Sequence, residues 1–318
     1  MDTARAAVRL AEPNPADAPV SRQAASDAWP AVFRAYAAEP LAQRPAGSTG
    51  KRGVCRLAFA VRSDTTRLGH AFVSHPFHCT RPWYLDPAVP GMAVVYVQTP
   101  AGGLIQGDRA ELRFSLDAGA QVHITNQAAE KIHTMTANCA LQRVGFSLGP
   151  GAYAEYCPEP LILFPGARFG QALRIELAAG ASFLGTEVIL SRAAADGATF
   201  EAFSTSLSVV DAERRVLVRD HGLALPAQLP LDGPGVLGGY HVWGQAFLVG
   251  PDIPADWAHE LQADLPGTVW GVSLLPQERG ISVKVVGSEV QAVRRLLFSA
   301  WQLLRLRHRG VPAPHFPK

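Results

Sequence analysis

The segment Gly102-Gly103-Leu104-Ile105-Gln106-Gly107-Asp108 opens the most informative part of this 318-residue sequence. Two stretches follow it, 111–116 and 121–124, in which apolar and polar residues alternate with a period of two. This alternation is typical of β-strands that turn one face towards a core. The sequence therefore predicts a hairpin with Asp108 at one end and a second polar motif, Thr125-Asn126-Gln127-Ala128-Ala129-Glu130-Lys131, at the other.

Short strand-like segments separated by glycine and proline turns continue from about residue 53 to residue 287. Residues 173–177 and 281–285 alternate in polarity, and 269–275 is almost continuously apolar. Many short strands at this spacing favour an all-β, sandwich-like body with few helices. Strands do not alternate with helices along the chain, so we do not expect a parallel nucleotide-binding sheet.

Residues 1–52 differ from this pattern. They contain six prolines and show no sustained periodicity, so we expect a loosely ordered N-terminal arm preceding a β-rich domain at 53–318. A short helix at 27–38 is compatible with Pro30, which suits the first turn of a helix. Another short helix is predicted at 254–263.

The strongest helical pattern lies at 288–308, where apolar residues recur on one face. Ser288 and Gln291 have the spacing of a capping box, and Gly310 is a natural stop. The basic residues near its end are typical of a solvated amphipathic helix, although they could also dock an acidic partner. The candidates for partner binding on this helix are Trp301, Arg305 and Arg307.

Composition narrows the class of protein. The chain is 48% hydrophobic and 18% charged, with a net charge of +2, which is ordinary for a soluble globular protein and demands neither nucleic acid nor membrane. No apolar run approaches the ~18 residues of a membrane span. Four cysteines without a CxxC pair do not suggest a disulfide framework, so a reducing cytoplasm is expected.

The glycine-rich loop is not a phosphate loop. A P-loop ends in Gly-Lys-Ser/Thr and leads into a helix, whereas here Gly107 is followed by Asp108 and a predicted strand. Gly102, Gly103 and Gly107 are expected to supply positive φ angles or close backbone approach. Asp108 either bonds the backbone of its own turn or is a functional polar group.

Other catalytic and metal-binding patterns are weak. The chain has no GxSxG elbow, and the carboxylates Glu155 and Glu159 lie in a proline-stiffened segment where they would more often be salt-bridged than catalytic. His75, His78 and Cys79 supply soft donors within five residues. Strand alternation would place the two histidines on opposite faces, so surface or core histidines are the simpler interpretation.

A further block, Glu155-Tyr156-Cys157-Pro158-Glu159-Pro160-Leu161-Ile162-Leu163-Phe164, follows the first two motifs in the chain. Together the three resemble the UreD (UreH) family of urease accessory proteins, from about Gly53 to the C-terminal helix. The positions that match the family's motifs are Gly102, Gly103, Gly107, Asp108, Thr125, Gln127, Lys131, Glu155, Pro158 and Phe164. In a later motif Arg192 matches, but Ala198 stands where a glutamate is expected and Glu201 is displaced by three residues.

The resemblance implies an elongated β-structure and a non-catalytic maturation chaperone. Such proteins bind the urease apoenzyme together with UreF and the GTPase UreG and support nickel delivery to the di-nickel site. Nickel would be transient cargo, without a tightly bound cofactor. A passage for such an ion needs weak oxygen and nitrogen donors, and the resemblance suggests as candidates Asp108, Thr125, Gln127, Glu155, Glu159 and Glu187.

Two alternatives remain at this point. The first is a carbohydrate-active enzyme on a β-sandwich that uses Glu155 and Glu159. The second is a β-rich interaction module without a metal role.

Overall fold

The computed structural model describes residues 29–41, 49–191, 197–251, 253–254, 256–257, 260–261 and 265–316. The elements are, in chain order, α1 (Ala31–Ala38), β1 (Arg52–Arg62), β2 (Thr65–Val73), β3 (His78–Cys79), β4 (Ala93–Gln98), β5 (Arg109–Leu116), β6 (Gln121–Thr125), β7 (Glu130–Ile132), β8 (Ala140–Leu148), β9 (Tyr153–Tyr156), β10 (Leu161–Leu163), β11 (Arg168–Leu177), β12 (Ser182–Ser191), β13 (Ala202–Asp211), β14 (Val216–Ala224), β15 (Val242–Val249), β16 (Thr268–Leu274), a 3-10 helix (Pro276–Glu278), β17 (Gly280–Gly287) and α2 (Val290–Arg309).

These strands form two sheets that pack face to face, which confirms the β-dominated, sandwich-like prediction. The first sheet has the order β14-β13-β11-β8-β5-β1-β2, and the second has the order β16-β17-β15-β12-β9-β6-β4-β3. The short strand β10 pairs with β12 and β7 beside the second sheet.

The central strands are parallel within each sheet. From β4 to β13 the chain passes back and forth between the sheets, so that β5, β8, β11 and β13 are parallel neighbours in the first. Likewise β4, β6, β9 and β12 are parallel neighbours in the second. Parallel strands need a crossover, which is usually a helix. Here a strand of the opposite sheet makes the return, so the chain coils around its own core.

The predicted hairpin at 109–125 is therefore wrong. β5 pairs with β1 and β8, whereas β6 pairs with β4 and β9 in the other sheet. A period of two predicts a strand but does not say which sheet it joins, and the turn at 117–120 crosses the sandwich. Asp108 and Thr125 lie at the same end of the body, as they would in a hairpin, but at the ends of strands in different sheets.

Two apolar clusters lie between the sheets at different levels along the strands. On β11, Phe169 belongs to the smaller cluster and Ile175 to the larger one. On β13, Phe203 and Val209 divide in the same way. The level between the clusters is the one that contains the candidate site.

The segment 29–41, which falls within the predicted N-terminal arm, packs against the outer face of the first sheet. Trp29 and Phe33 are buried with Cys139, Leu141 and Ala202. The helix predicted at 27–38 is thus present as α1. The remainder of the arm, residues 1–28 and 42–48, lies outside the described residues.

The helix α2 covers the outer face of the second sheet, and its predicted apolar face is buried as expected. Gly310 ends the helix with a left-handed φ of 70°. The predicted capping box is wrong, because the N-cap is Glu289 and makes no side-chain cap bond. The backbone N–H of Ser288 instead donates to the carbonyl of Gly267.

Several residues of the helix predicted at 254–263 lie outside the described part of the chain. Over the residues that are described, no helix has the length and apolar character to cross a membrane.

Candidate functional site

A cavity of about 100 Å³ lies between the two sheets. On β11 its level is marked by Gln171, between Phe169 of one apolar cluster and Ile175 of the other. Its volume is enough for several water molecules. We call this space the interior cavity; its polar lining consists of Thr99, Thr125, Asn126, Glu130, Gln142, Glu159, Gln171, Thr186, Glu187, Thr205, Ser206 and Gln245.

Glu187 is one of the carboxylates that line this cavity. It lies on β12 and accepts hydrogen bonds from the amide of Gln171 in the first sheet and from that of Gln245 on β15, the latter over 3.2 Å. The contact with Gln171 shows that the carboxylate points between the sheets. Burial raises the pKa of Glu187 to about 7, although the two amide hydrogen bonds oppose that shift.

Glu130 supplies a second carboxylate to the same cavity. Burial raises its pKa to about 7, with a hydrogen bond from Thr99 opposing and the charge of Asp108 reinforcing the shift. Burial also raises the pKa of Tyr156, and the charges of Glu187 and Glu130 both add to it. Tyr156 is thus within electrostatic reach of both carboxylates. Glu130 is not among the residues suggested by the sequence, and its only signal there was its position inside the Thr125–Lys131 motif.

The six residues suggested for a passage divide evenly. Thr125, Glu159 and Glu187 line the interior cavity, whereas Asp108, Gln127 and Glu155 do not. The Thr125 hydroxyl donates to the carbonyl of Cys157 over 2.6 Å. Glu159 forms an ion pair with Arg294 of α2.

Asp108 binds the backbone of its own loop and of the neighbouring segment at Lys51. Its buried carboxylate accepts from the backbone N–H groups of Lys51 (2.9 Å) and Ile105 (3.1 Å) and lies 3.0 Å from the Lys51 ammonium. Of the two interpretations left open by the sequence, these contacts match the one in which Asp108 bonds its own turn. Gln127 is exposed and accepts a hydrogen bond from Gln98 over 2.6 Å.

Glu155 lies on the other side of the second sheet, beneath α2. Alternation along β9 turns Ala154 and Tyr156 towards the sandwich and Glu155 towards the helix. Its carboxylate lies 2.7 Å from Nδ1 of His123 and accepts from the Tyr153 hydroxyl over 2.8 Å.

Arg305 completes this buried cluster, with its guanidinium 3.4 Å from Glu155 and in contact with Asp86. Burial favours the neutral form of Glu155, but the hydrogen bonds from His123 and Tyr153 and the charge of Arg305 outweigh it and lower its pKa. A carboxylate so enclosed cannot flank a glycan, so the pairing of Glu155 with Glu159 in a glycosidase has no support.

Two of the three candidates for partner binding on α2 are buried. Trp301 is 7% exposed and Arg305 is 0% exposed, because both side chains turn towards the second sheet. Arg307 is exposed and donates to Glu260 over 2.7 Å.

Most of the remaining motif residues are packed against neighbouring parts of the fold. Gly103 and Gly107 have positive φ angles and are crowded by Lys131 and Leu41, respectively, whereas Gly102 has a positive φ without close neighbours. The ring of Phe164 stacks on His133, and Pro158 lines the interior cavity.

In the later motif, Arg192 lies outside the described residues and Ala198 is exposed. Glu201, three residues further on, is engaged in an ion pair with Arg168 (2.8 Å) and accepts a hydrogen bond from Tyr36. It is therefore tied to the segment that carries α1.

The histidines of the 75–79 segment do not form a metal site. His78 contacts Gln98, and His75 is exposed. Cys79 packs against the larger apolar cluster, and burial raises the pKa of its thiol. Throughout the described part of the chain, no group of three or more histidine, cysteine or acidic side chains is arranged to hold a metal ion.

Comparisons with known proteins agree over most of the chain. A family model described as UreD urease accessory protein matches residues 51–317. A urease accessory protein UreD of Haloarcula marismortui is 34% identical, over 91% of this chain and 98% of the relative. Proteins with the same family name from Streptomyces griseus and Cenarchaeum symbiosum are 33% and 29% identical, over 86% and 87% of this chain and 95% and 100% of theirs.

Proposed function

Because this chain belongs to the UreD family of urease accessory proteins, we propose that it is a non-catalytic chaperone of urease maturation. In this role it binds the urease apoenzyme and acts with UreF and the GTPase UreG. Nickel passes along the protein as transient cargo on its way to the di-nickel site, and no cofactor is tightly bound. The role implies a cytoplasmic protein.

The observation that carries the nickel role is the polar interior cavity between two apolar clusters. Glu130, Glu159 and Glu187 supply carboxylates to it, Glu159 being paired with Arg294, and the remaining polar lining is amide and hydroxyl. A buried polar layer is costly in a sandwich core unless its groups are satisfied or used. Oxygen donors of this kind bind a borderline divalent ion weakly, which suits an ion that must also leave.

The raised pKa values of Glu130 and Glu187 fit the same role. At neutral pH each carboxyl carries a proton for part of the time. An arriving divalent cation therefore exchanges with protons, and the empty cavity does not have to hold two unpaired negative charges. The cavity can in this way be neutral when empty and negative when it receives the ion.

Urease activation in cells tests this proposal. The gene is deleted from a strain that carries the urease operon and is restored as the wild type, Glu187→Gln or Glu130→Gln, with Glu213→Gln on the exposed surface as the control. We expect the wild type and the control to restore urease activity at limiting nickel, and the two cavity variants to fall about tenfold short.

Two other outcomes would contradict the maturation role or the nickel passage. If deletion leaves urease activity unchanged, the maturation role is wrong. If both cavity variants activate urease as well as the wild type, the chain acts as an interaction module and the nickel passage is wrong.

A further inference from the structure

The second sheet has a gap beside the interior cavity. β9 pairs with β12 through Ser182–Gly185, and β10 pairs with it from Ile189 to Ser191. Between these ladders Thr186, Glu187 and Val188 have no strand partner on that side. The sheet is thus interrupted for three residues at the level of the cavity carboxylate Glu187.

The segment 157–160 explains the gap. Pro158 and Pro160 have no N–H group to donate. The N–H groups of Cys157 and Glu159 donate away from β12, to the carbonyl of Ile124 and the side chain of Asn126. No backbone donor of this segment is therefore left for β12, and the two strands do not close on each other.

A second cavity, of about 200 Å³, lies on the far side of this gap, beneath α2. It shares four lining residues with the interior cavity: Pro158, Glu159, Thr186 and Val188. These are residues of the edges of the gap. The two cavities therefore meet at the break in the sheet.

Glu159 and Arg294 stand at this meeting point. The guanidinium of Arg294 binds the Glu159 carboxylate through two contacts, of 2.9 Å and 3.1 Å. The glutamate side chain is 11% exposed and the arginine side chain 39% exposed. Such a two-pronged pair neutralises the carboxylate and fixes its direction. It also places a positive charge where a cation would have to pass.

We propose that Arg294 closes the opening of the interior cavity at this gap, and that a divalent cation crossing the gap replaces its guanidinium on Glu159. This inference rests on the proposed nickel passage and adds the device that controls one of its ends. Because Arg294 competes for the carboxylate, the ion is held less tightly at the gap and can leave. α2, which carries Arg294, is the element on which the opening depends.

Nickel affinity of the purified full-length chain tests this device. Equilibrium dialysis at pH 7.5 compares the wild type with Arg294→Gln and with Arg295→Gln, which removes the same charge from the exposed neighbouring position of the helix. We expect Arg294→Gln to bind Ni²⁺ about fivefold more tightly, since a partly exposed ion pair opposes the metal by a modest amount. Arg295→Gln is expected to stay within about twofold of the wild type.

The same measurement on Glu159→Gln and on the double variant Glu159→Gln/Arg294→Gln shows whether the effect passes through Glu159. The gain is expected to vanish when Glu159 is already glutamine. Equal affinities of Arg294→Gln and Arg295→Gln, or a gain that persists without Glu159, would overturn the inference. Should the glutamine variant unfold, Arg294→Lys keeps the charge but loses one contact, and an affinity equal to that of the wild type would then count against it.

Glu187→Gln separates the two proposals. If it leaves nickel affinity unchanged, the passage itself is wrong and the effect of Arg294 has another origin. If it weakens nickel binding while Arg294→Gln behaves like Arg295→Gln, the passage stands and only the gating role fails.

Discussion

The guanidinium of Arg305 contacts the carboxylate of Asp86, 219 residues earlier in the chain, and both side chains are buried. Nη1 of the same guanidinium lies 3.4 Å from Glu155, an ion-pair distance without the alignment of a good hydrogen bond. Arg305 therefore links α2 both to the segment of Asp86 and to the strand β9 that carries Glu155.

Asp86→Asn should be strongly destabilising, because it leaves the Arg305 charge buried with a weaker set of partners. We expect a loss of about 3 kcal/mol in the free energy of unfolding, measured by chemical denaturation. The control is Arg307→Met on the same helix, whose exposed pair with Glu260 should contribute less than about 1 kcal/mol. Equal losses for the two variants would mean that burial of the Asp86 pair is not what holds the helix.

Stability should fall as the pH rises through the range set by Glu187. The ordinary pKa of this carboxyl is 4.5, and burial raises it to about 7 in the folded protein. The folded chain thus binds the proton more tightly than the unfolded chain. The resulting stabilisation is complete below pH 4.5 and is lost as the pH approaches and passes 7.

Glu187→Gln should remove the part of this dependence that Glu187 contributes, while the part that comes from Glu130 remains. Relative to the wild type, the variant is expected to gain about 3 kcal/mol at pH 8 and almost nothing at pH 4.5. Urea denaturation at a series of pH values measures the difference, with Glu213→Gln at an exposed position as the comparison. A constant offset at every pH would contradict a titration origin.

Phe33→Ala should detach α1. The ring is fully buried against the first sheet, and loss of a buried phenylalanine costs about 3 kcal/mol or more. Because α1 can open without unfolding the sandwich, faster hydrogen exchange at 31–38 is the expected result, by about 100-fold. Ala35→Ser, on the exposed face of the same helix, should leave exchange unchanged. Exchange that accelerates over the whole body instead would show that α1 and the sandwich unfold together.

Gly103→Ala should be more damaging than Gly102→Ala. Both glycines have positive φ angles, which a Cβ atom disfavours by about 1 kcal/mol. A Cβ at Gly103 would also lie 2.3 Å from the carbonyl oxygen of Lys131, whereas one at Gly102 would meet nothing within 4 Å. Thermal unfolding of the two variants checks this, with the larger drop expected for Gly103. Similar drops would mean that φ strain alone decides both positions.

The sequence predicted strands where apolar and polar residues alternate, and it predicted α2 from its apolar stripe, because these periodicities are local. It could not predict that β5 and β6 join different sheets, since a four-residue turn serves a hairpin and a crossing equally well. Parallel pairing without intervening helices was likewise hidden, because it depends on strands that lie far apart in sequence.

The residues of the candidate site were predictable only as far as local sequence identifies them. Glu187 and Glu159 were among the suggested donors, but chemical type alone could not separate them from Glu155, which alternation along β9 turns to the opposite face of the same sheet. Glu130 was missed because nothing local marks a carboxylate that the fold brings to a cavity between two sheets. The burial of Arg305 was hidden too, since its partners lie in segments that the helix meets only in the folded protein.

The coiled path of the chain also has a consequence for synthesis on the ribosome. Each parallel strand acquires one of its neighbours only after a strand of the other sheet has been made, so the body is completed progressively from its N-terminal side. His123 and Glu155 are in place early, yet their cover is encoded around residue 305. Until that part of the chain emerges, a nascent molecule exposes a charged and apolar face, and this is the stage at which protection by general chaperones matters most.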